Sequence, residues 1–130
     1  MAPPGARPPG YTDARGLAGI HEALDSPAAE ILLAEDEDAI VGMASLHEAF
    51  VSIRHGKRCW LQDLVVTASR RSSGIGKALL DAASEWARER GCTHVMLDSG
   101  NARKDAHRFY RREGMDQHSI TFERWLEHTS

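Results

Sequence analysis

The chain has 130 residues, enough for one ordinary domain and short for two, and its 42% hydrophobic content can build a core, which excludes wholesale disorder. A formal net charge of −3 argues against a protein that lives on nucleic acid or on an anionic membrane, since both usually demand a basic excess. No apolar run approaches the roughly 18–20 residues needed to cross a bilayer, the N-terminus lacks a signal-like apolar stretch, and Cys59 and Cys92 alone make neither a disulfide scaffold nor a zinc site, so a soluble, reduced, cytoplasmic domain is expected.

Residues 1–10 hold four of the five prolines and read as a flexible tail ahead of a single domain over 11–130. Thr12 or Asp13 can cap a helix with Leu17, Ile20 and Leu24 on one face, stopped by Asp25-Ser26-Pro27. Ile31 to Ala34 reads as a short buried strand and Glu35 to Asp38 as an acidic turn. Residues 39–53 look extended, Arg54 to Arg58 looks like a hairpin turn, and a strand runs from Trp60 into the apolar triplet Leu64-Val65-Val66. Ile75, Ala78, Leu79, Ala82, Ala83 and Trp86 mark one face of a long helix, with Gly91 as its left-handed stop. Val95 to Leu97 is a short buried strand. A second helix carries Ala102, Ala106, Phe109 and Tyr110 and stops at Gly114, and the alternation from Gln117 to Leu126 suits a final strand.

Strand, glycine-containing turn, helix, strand is a crossover that makes its two strands parallel, while the flanking hairpins make the rest antiparallel. The expected architecture is α/β: a mixed, largely antiparallel sheet with a central parallel crossover and helices on both faces.

The turn from Thr67 to Lys77 runs straight into the long helix. Such a turn aims backbone N–H groups outward, the helix adds about half a positive charge there, and Arg70, Arg71 and Lys77 add full ones, which together make an anion cradle. A dinucleotide fingerprint needs glycine where Leu79 stands; a P-loop needs glycine at Arg71 and Ser or Thr at Ala78. Both fail. The pattern R-x-x-G-x-G fits Arg71-Ser72-Ser73-Gly74-Ile75-Gly76 at every fixed position.

With Leu61-Gln62-Asp63-Leu64-Val65-Val66 before that loop and His107-Arg108-Phe109-Tyr110-Arg111-Arg112-Glu113-Gly114-Met115 after it, the chain resembles the GNAT N-acetyltransferase superfamily from about Ile31 to Leu126. The resemblance implies acetyl-CoA as donor and a primary amine as acceptor; separately, the His, Asp and Glu residues show no i, i+4 ligand pairing with a third partner, so no metal is expected. The resemblance also implies that the CoA pyrophosphate is held by Arg71, Ser72, Ser73, Gly74, Ile75, Gly76 and Lys77. The pantetheine arm would lie along the backbone of Leu64, Val65 and Val66, where the parallel strands splay at a bulge. Small-molecule amine and amino-sugar acetyltransferases look most similar. Three departures stand out. Gln62 occupies a position where many members carry a glutamate that serves or orients the base. Arg103 stands where many carry a cofactor-contacting asparagine. The front of the fold is short, so a first strand is missing or supplied by a neighbour, and a homodimer is expected.

Acetylating an amine requires loss of an amine proton, donors for an oxyanion and a proton for the leaving thiolate. Helical spacing alone favours Tyr110 as a core aromatic beside Phe109; the resemblance reverses this, because Tyr110 occupies the family position of the acid. For the base, regular alternation puts Gln62 and Asp63 on opposite faces, so one of them faces the acceptor. Asp63 competes with a water chain ending at Glu48 or Asp98; His47 and His107 are further options, and a Cys92–His94 pair is a remote one. Basic Arg103, Lys104, Arg108, Arg111 and Arg112 suit either a solvated helix face or an anionic ligand. Two other readings stay open: a catalytically weak acyl-CoA-binding module, motivated by Gln62 and the short front, and an acetyltransferase for protein lysines or N-termini.

Overall fold

The computed structural model describes residues 12–54, 56–98, 104–117 and 122–126. They fall into two compact units, one within Gly5–Leu97 and one within Asp98–Ser130.

The larger unit opens with α1 (Asp13–Asp25), capped by Thr12, whose hydroxyl accepts from the Arg15 amide at 3.1 Å. The chain leaves it at Ser26 in an extended conformation, as the Ser26-Pro27 stop predicts. β1 (Ala29–Asp36), β2 (Ala39–Ser52) and β3 (Gly56–Val66) follow, then a 3-10 turn (Ala68–Arg70), α2 (Ile75–Glu89) and β4 (His94–Met96). Among the described residues these strands form one sheet in the order β1-β2-β3-β4. The first two pairings are antiparallel and β3–β4 is parallel, as the crossover requires. The first turn is shorter than its acidic run suggests: backbone pairing carries Glu35 and Asp36 into β1, and only Glu37 and Asp38 turn, Glu37 with a φ of 55°. Likewise β3 already begins at Gly56, inside the polar stretch expected to be a turn.

α2 packs its apolar face on the sheet. Leu79, Leu80, Ala83 and Ala87 are buried there together with Val41, Ala44, Leu46, Cys59 and Leu61. Gly42 lets the helix come close: a Cβ on it would lie 3.0 Å from both Ile75 Cγ2 and Leu79 Cδ1. It also fixes which face of the sheet meets the helix. Gly42, Ala44 and Leu46 face α2, whereas Met43, Ser45 and His47 alternate onto the opposite, open face. The helix ends at Arg90 and Gly91, the latter left-handed at φ 74°.

The smaller unit contains α3 (Lys104–Arg112). It stops where glycine permits: Gly114 is left-handed at φ 85°, and the Met115 amide donates to the Tyr110 carbonyl at 2.9 Å. Of the final strand expected over Gln117–Leu126, residues 118–121 lie outside the described residues, and Gln117 and residues 122–126 carry no strand pairing.

Candidate active site

Among the described residues of the larger unit, the sheet is open along one side of β3. β3 and β4 pair only through Arg58↔His94, Cys59↔Val95 and Trp60↔Met96. β4 then ends while β3 continues to Val66, so among the described residues Leu61 to Val66 have no strand on that side. On its other side β3 carries a bulge. Leu61 pairs with Leu46 and Asp63 with Ser45, which leaves Gln62 as the extra residue. A bulge bends its strand and raises the local twist, which turns β3 away from a straight parallel partner. A strand edge of this kind presents backbone donors and acceptors to an extended, amide-bearing ligand.

The opening leads to the turn before α2. Ser72 has a φ of 66° and Gly74 one of 89°, and turns of this handedness gather successive N–H groups on one side. α2 begins with the Ala78 amide donating to the Gly74 carbonyl at 3.0 Å, and no side chain caps this end. The first-turn amides therefore add their partial charge to whatever lies ahead of the helix. The turn is tied from two sides: Arg70 pairs with Asp36 at the end of β1, and the Ser73 hydroxyl donates to the Arg70 carbonyl. Arg71 is exposed. Lys77 pairs with Asp81 at 2.8 Å, one helical turn on. Leu64 to Val66 and Arg71 to Lys77 thus belong to one short run of the chain, a strand edge followed by a donor-rich turn, within one unit. Its basic, donor-rich chemistry fits a diphosphate attached to an extended amide chain. Arg103 lies outside the described residues.

On the open face beside the bulge, the Ser45 hydroxyl donates to Asp63 Oδ2 at 2.6 Å. The alternation expected between Gln62 and Asp63 does not apply across a bulge; the pairing with Ser45 is what assigns Asp63 to this face. Ser45 went unnoticed in the sequence, where its only signal is its phase along β2, two residues from Met43 and from His47.

The other acid–base candidates are distributed differently. Glu48 sits on the helix side, paired along the sheet with Cys59 rather than near Val66. Its carboxylate takes Lys57 Nζ at 2.6 Å and Arg90 Nη1 at 2.9 Å. The hydrogen bonds from Lys57 and then Arg90 hold its pKa below the ordinary 4.5. Arg90 also donates to the Pro27 carbonyl at 2.9 Å and lies 4.5 Å over the Trp86 ring. Glu48 is therefore a clamp between β2, β3 and the end of α2. Because its folded pKa is depressed, the clamp's contribution is complete above the unfolded value and lost as pH falls through the folded one. Glu48→Gln should accordingly lower the urea midpoint at neutral pH and flatten its decline below pH 4.5, while a parallel decline in wild type and variant would refute this role.

Cys59 is fully buried, and that burial pushes its thiol up to about 11. Burial also raises Cys92. Cys59 is thus a small core residue, whereas Cys92 is half-buried, and a raised thiol pKa disfavours the thiolate that a Cys92–His94 nucleophile would need. His94 Nδ1 lies 2.7 Å from Thr93 Oγ1, His47 lies opposite Trp60 on the open face, and Asp98 is exposed. Among the described residues no group of three His, Cys, Asp or Glu side chains is placed to hold a metal, and no helix is long and apolar enough to cross a membrane. In α3, Tyr110 and His107 are half-buried, and the Tyr110 ring meets Phe109 edge-on with centroids 5.4 Å apart.

The sequence pattern of the acetyltransferase (GNAT) family matches residues 4–115. The uncharacterized N-acetyltransferase YhdJ of Bacillus subtilis is 53% identical over 76 residues, which are 58% of this chain and 51% of that protein, so the chain spans about half of that relative's length. Aminoalkylphosphonate N-acetyltransferase of Salmonella typhimurium is 38% identical over 111 residues, 83% of this chain and 70% of that enzyme. Among solved structures, the aminoglycoside N-acetyltransferase AAC(6')-Iy in complex with CoA superposes with a TM-score of 0.81 at 21% identity, covering 90% of this chain and 80% of that one. At that identity the likeness is one of fold.

Proposed function

Because the chain belongs to the acetyltransferase (GNAT) family, we propose that it moves an acetyl group from acetyl-CoA to the primary amine of a small molecule, as one domain over residues 11–130. The observation that carries this reading is the opening beside β3 that runs into the uncapped start of α2. In the proposed complex the backbone of Leu64, Val65 and Val66 pairs with the pantetheine amides. The turn from Arg71 to Lys77 holds the phosphates, a role the proposal extends to Arg103. Acetyl-CoA supplies the activated acetyl carbon. The amine, having given up a proton to Asp63 or to water ordered by it, attacks that carbon directly. The adduct nitrogen gives up its remaining extra proton to solvent, the tetrahedral adduct collapses with cleavage of the C–S bond, and Tyr110 protonates the departing thiolate and is itself reprotonated from solvent. Two relatives named for small-molecule acceptors, the aminoalkylphosphonate enzyme above and the glucosamine 6-phosphate N-acetyltransferase of Trypanosoma brucei brucei, 32% identical over 120 residues, support a small-molecule amine.

One observation favours a second reading. The bulge residue Gln62 is exposed and cannot titrate, as a catalytically weak acyl-CoA-binding module would tolerate. Thiol release from acetyl-CoA across aminomethylphosphonate, glucosamine 6-phosphate, kanamycin, spermidine and a lysine peptide separates the two. CoA binding without turnover on any of them favours the binding module, and turnover on the peptide alone favours a protein acetyltransferase.

The reading includes a cytoplasmic homodimer. Leu17, Ile20 and Leu24 form the apolar stripe of α1, yet they are 57%, 46% and 63% exposed, and β1 is an open edge among the described strands. A second copy covering these surfaces accounts for both. Light scattering at micromolar concentration should give twice the chain mass; the mass of a single chain would rule the dimer out.

A further inference from the structure

We infer that Ser45 is a positioning residue for the acceptor: it fixes the Asp63 carboxylate so that its second oxygen receives the protonated amine. This rests on the acetyltransferase reading above. Asp63 stands mid-strand, where aspartate is disfavoured, and it is exposed with no cation paired to it among the described residues. The described ion-paired carboxylates of this unit (Asp36, Glu48, Asp81 and Glu85) each have an arginine or lysine, so Asp63 differs in having a hydroxyl alone. That hydroxyl, at 2.6 Å, occupies Oδ2 and orients the group without neutralising it. Oδ1 has no hydrogen-bond partner among the described residues, and the pair lies beside the bulge, on the stretch of β3 that pairs with β2 but, among the described residues, has no strand on its β4 side. An oriented, uncompensated carboxylate at that point suits an ammonium group that must arrive charged, be held, and lose one proton before its nitrogen forms the new C–N bond.

The bland alternative is a cross-strand pair that only stabilises the hairpin. The two differ in what Ser45→Ala changes. With the proposed role, kcat/KM for the best amine of the panel falls about tenfold, through KM more than kcat, since a hydrogen bond to a charged group is lost. KM for acetyl-CoA stays within about twofold, and Ser45→Thr, which keeps the hydroxyl, restores the amine KM. An unchanged amine kcat/KM in Ser45→Ala overturns the inference, as does a loss that appears equally in the acetyl-CoA KM or that threonine fails to rescue. Wild-type turnover accompanying any of those results leaves the acetyltransferase reading standing. A wild type silent on the whole panel overturns both.

Discussion

Tyr110→Phe should lower turnover about 10²-fold while leaving CoA affinity nearly unchanged, the low end of the effect of a positioned proton donor. The substitution keeps the ring, so the edge-on contact with Phe109 at 5.4 Å and the Met115-to-Tyr110 backbone bond that closes α3 are both retained. Only the hydroxyl goes. Free thiols titrate near 8.5 and phenols near 10, so passing a proton from a phenol to a free thiolate is uphill by about 1.5 pK units; what the phenol offers is a proton delivered as the C–S bond breaks, with the tyrosinate then reprotonated from solvent. A hydroxyl that merely satisfies its surroundings would behave otherwise: its removal costs about 1 kcal/mol of stability and leaves kcat per folded molecule intact. Measuring kcat and melting temperature on the same preparation distinguishes the two, and a normal kcat ends the proton-donor assignment.

Gly74→Asp should weaken CoA binding by about tenfold or more. Space is not the reason, because a Cβ at this position meets nothing within 4 Å. Two other effects act together. Gly74 is left-handed at φ 89° directly before α2, a conformation that costs most residues energy but that Asp tolerates comparatively well, so the variant should fold. Its carboxylate then stands ahead of the helix and competes with the phosphates for the same amides and for Arg71. Gly74→Ala carries the backbone cost without the charge and should fall between wild type and Gly74→Asp. Calorimetry giving equal CoA affinity for wild type and a folded Gly74→Asp would refute the loop's role.

Much of this was legible because it depends on local rules. Thr12 and Ser26-Pro27 bound α1, the spacing from Ile75 to Trp86 and the left-handed Gly91 bound α2, and the strand–turn–helix–strand order dictates the parallel pairing of β3 with β4. What escaped depends on register or on approach. The spacing puts Leu17, Ile20 and Leu24 on one face of α1 but does not say what covers that face, and all three are exposed, because amphipathicity says that a face seeks cover and not which surface supplies it. Gly42 showed no turn signal; its role appears only when Ile75 and Leu79 come down on it. Asp36 and Arg70 are far apart in sequence, and nothing local announces their pairing. The Ser45–Asp63 contact needs the hairpin register, which strand alternation alone does not provide across an irregularity. One trace of that irregularity was available: the inward apolar positions of β3 run Cys59, Leu61, Leu64, Val66, with a step of three where two is the rule, and Gln62 and Asp63 are exposed in succession.

That step separates what the strand needs to fold from what the opening needs to exist. Remove Gln62 and the remaining residues alternate without interruption: Leu61 still meets Leu46, Asp63 still meets Ser45, and no side chain changes sides. A chain lacking this one residue should therefore fold with its core intact and a straighter β3, able to continue alongside its parallel neighbour and close the opening. On the proposed reading Gln62 matters to the opening and not to the core, so its deletion should leave the circular-dichroism spectrum of a folded protein and weaken CoA binding in calorimetry; unchanged CoA affinity would refute this.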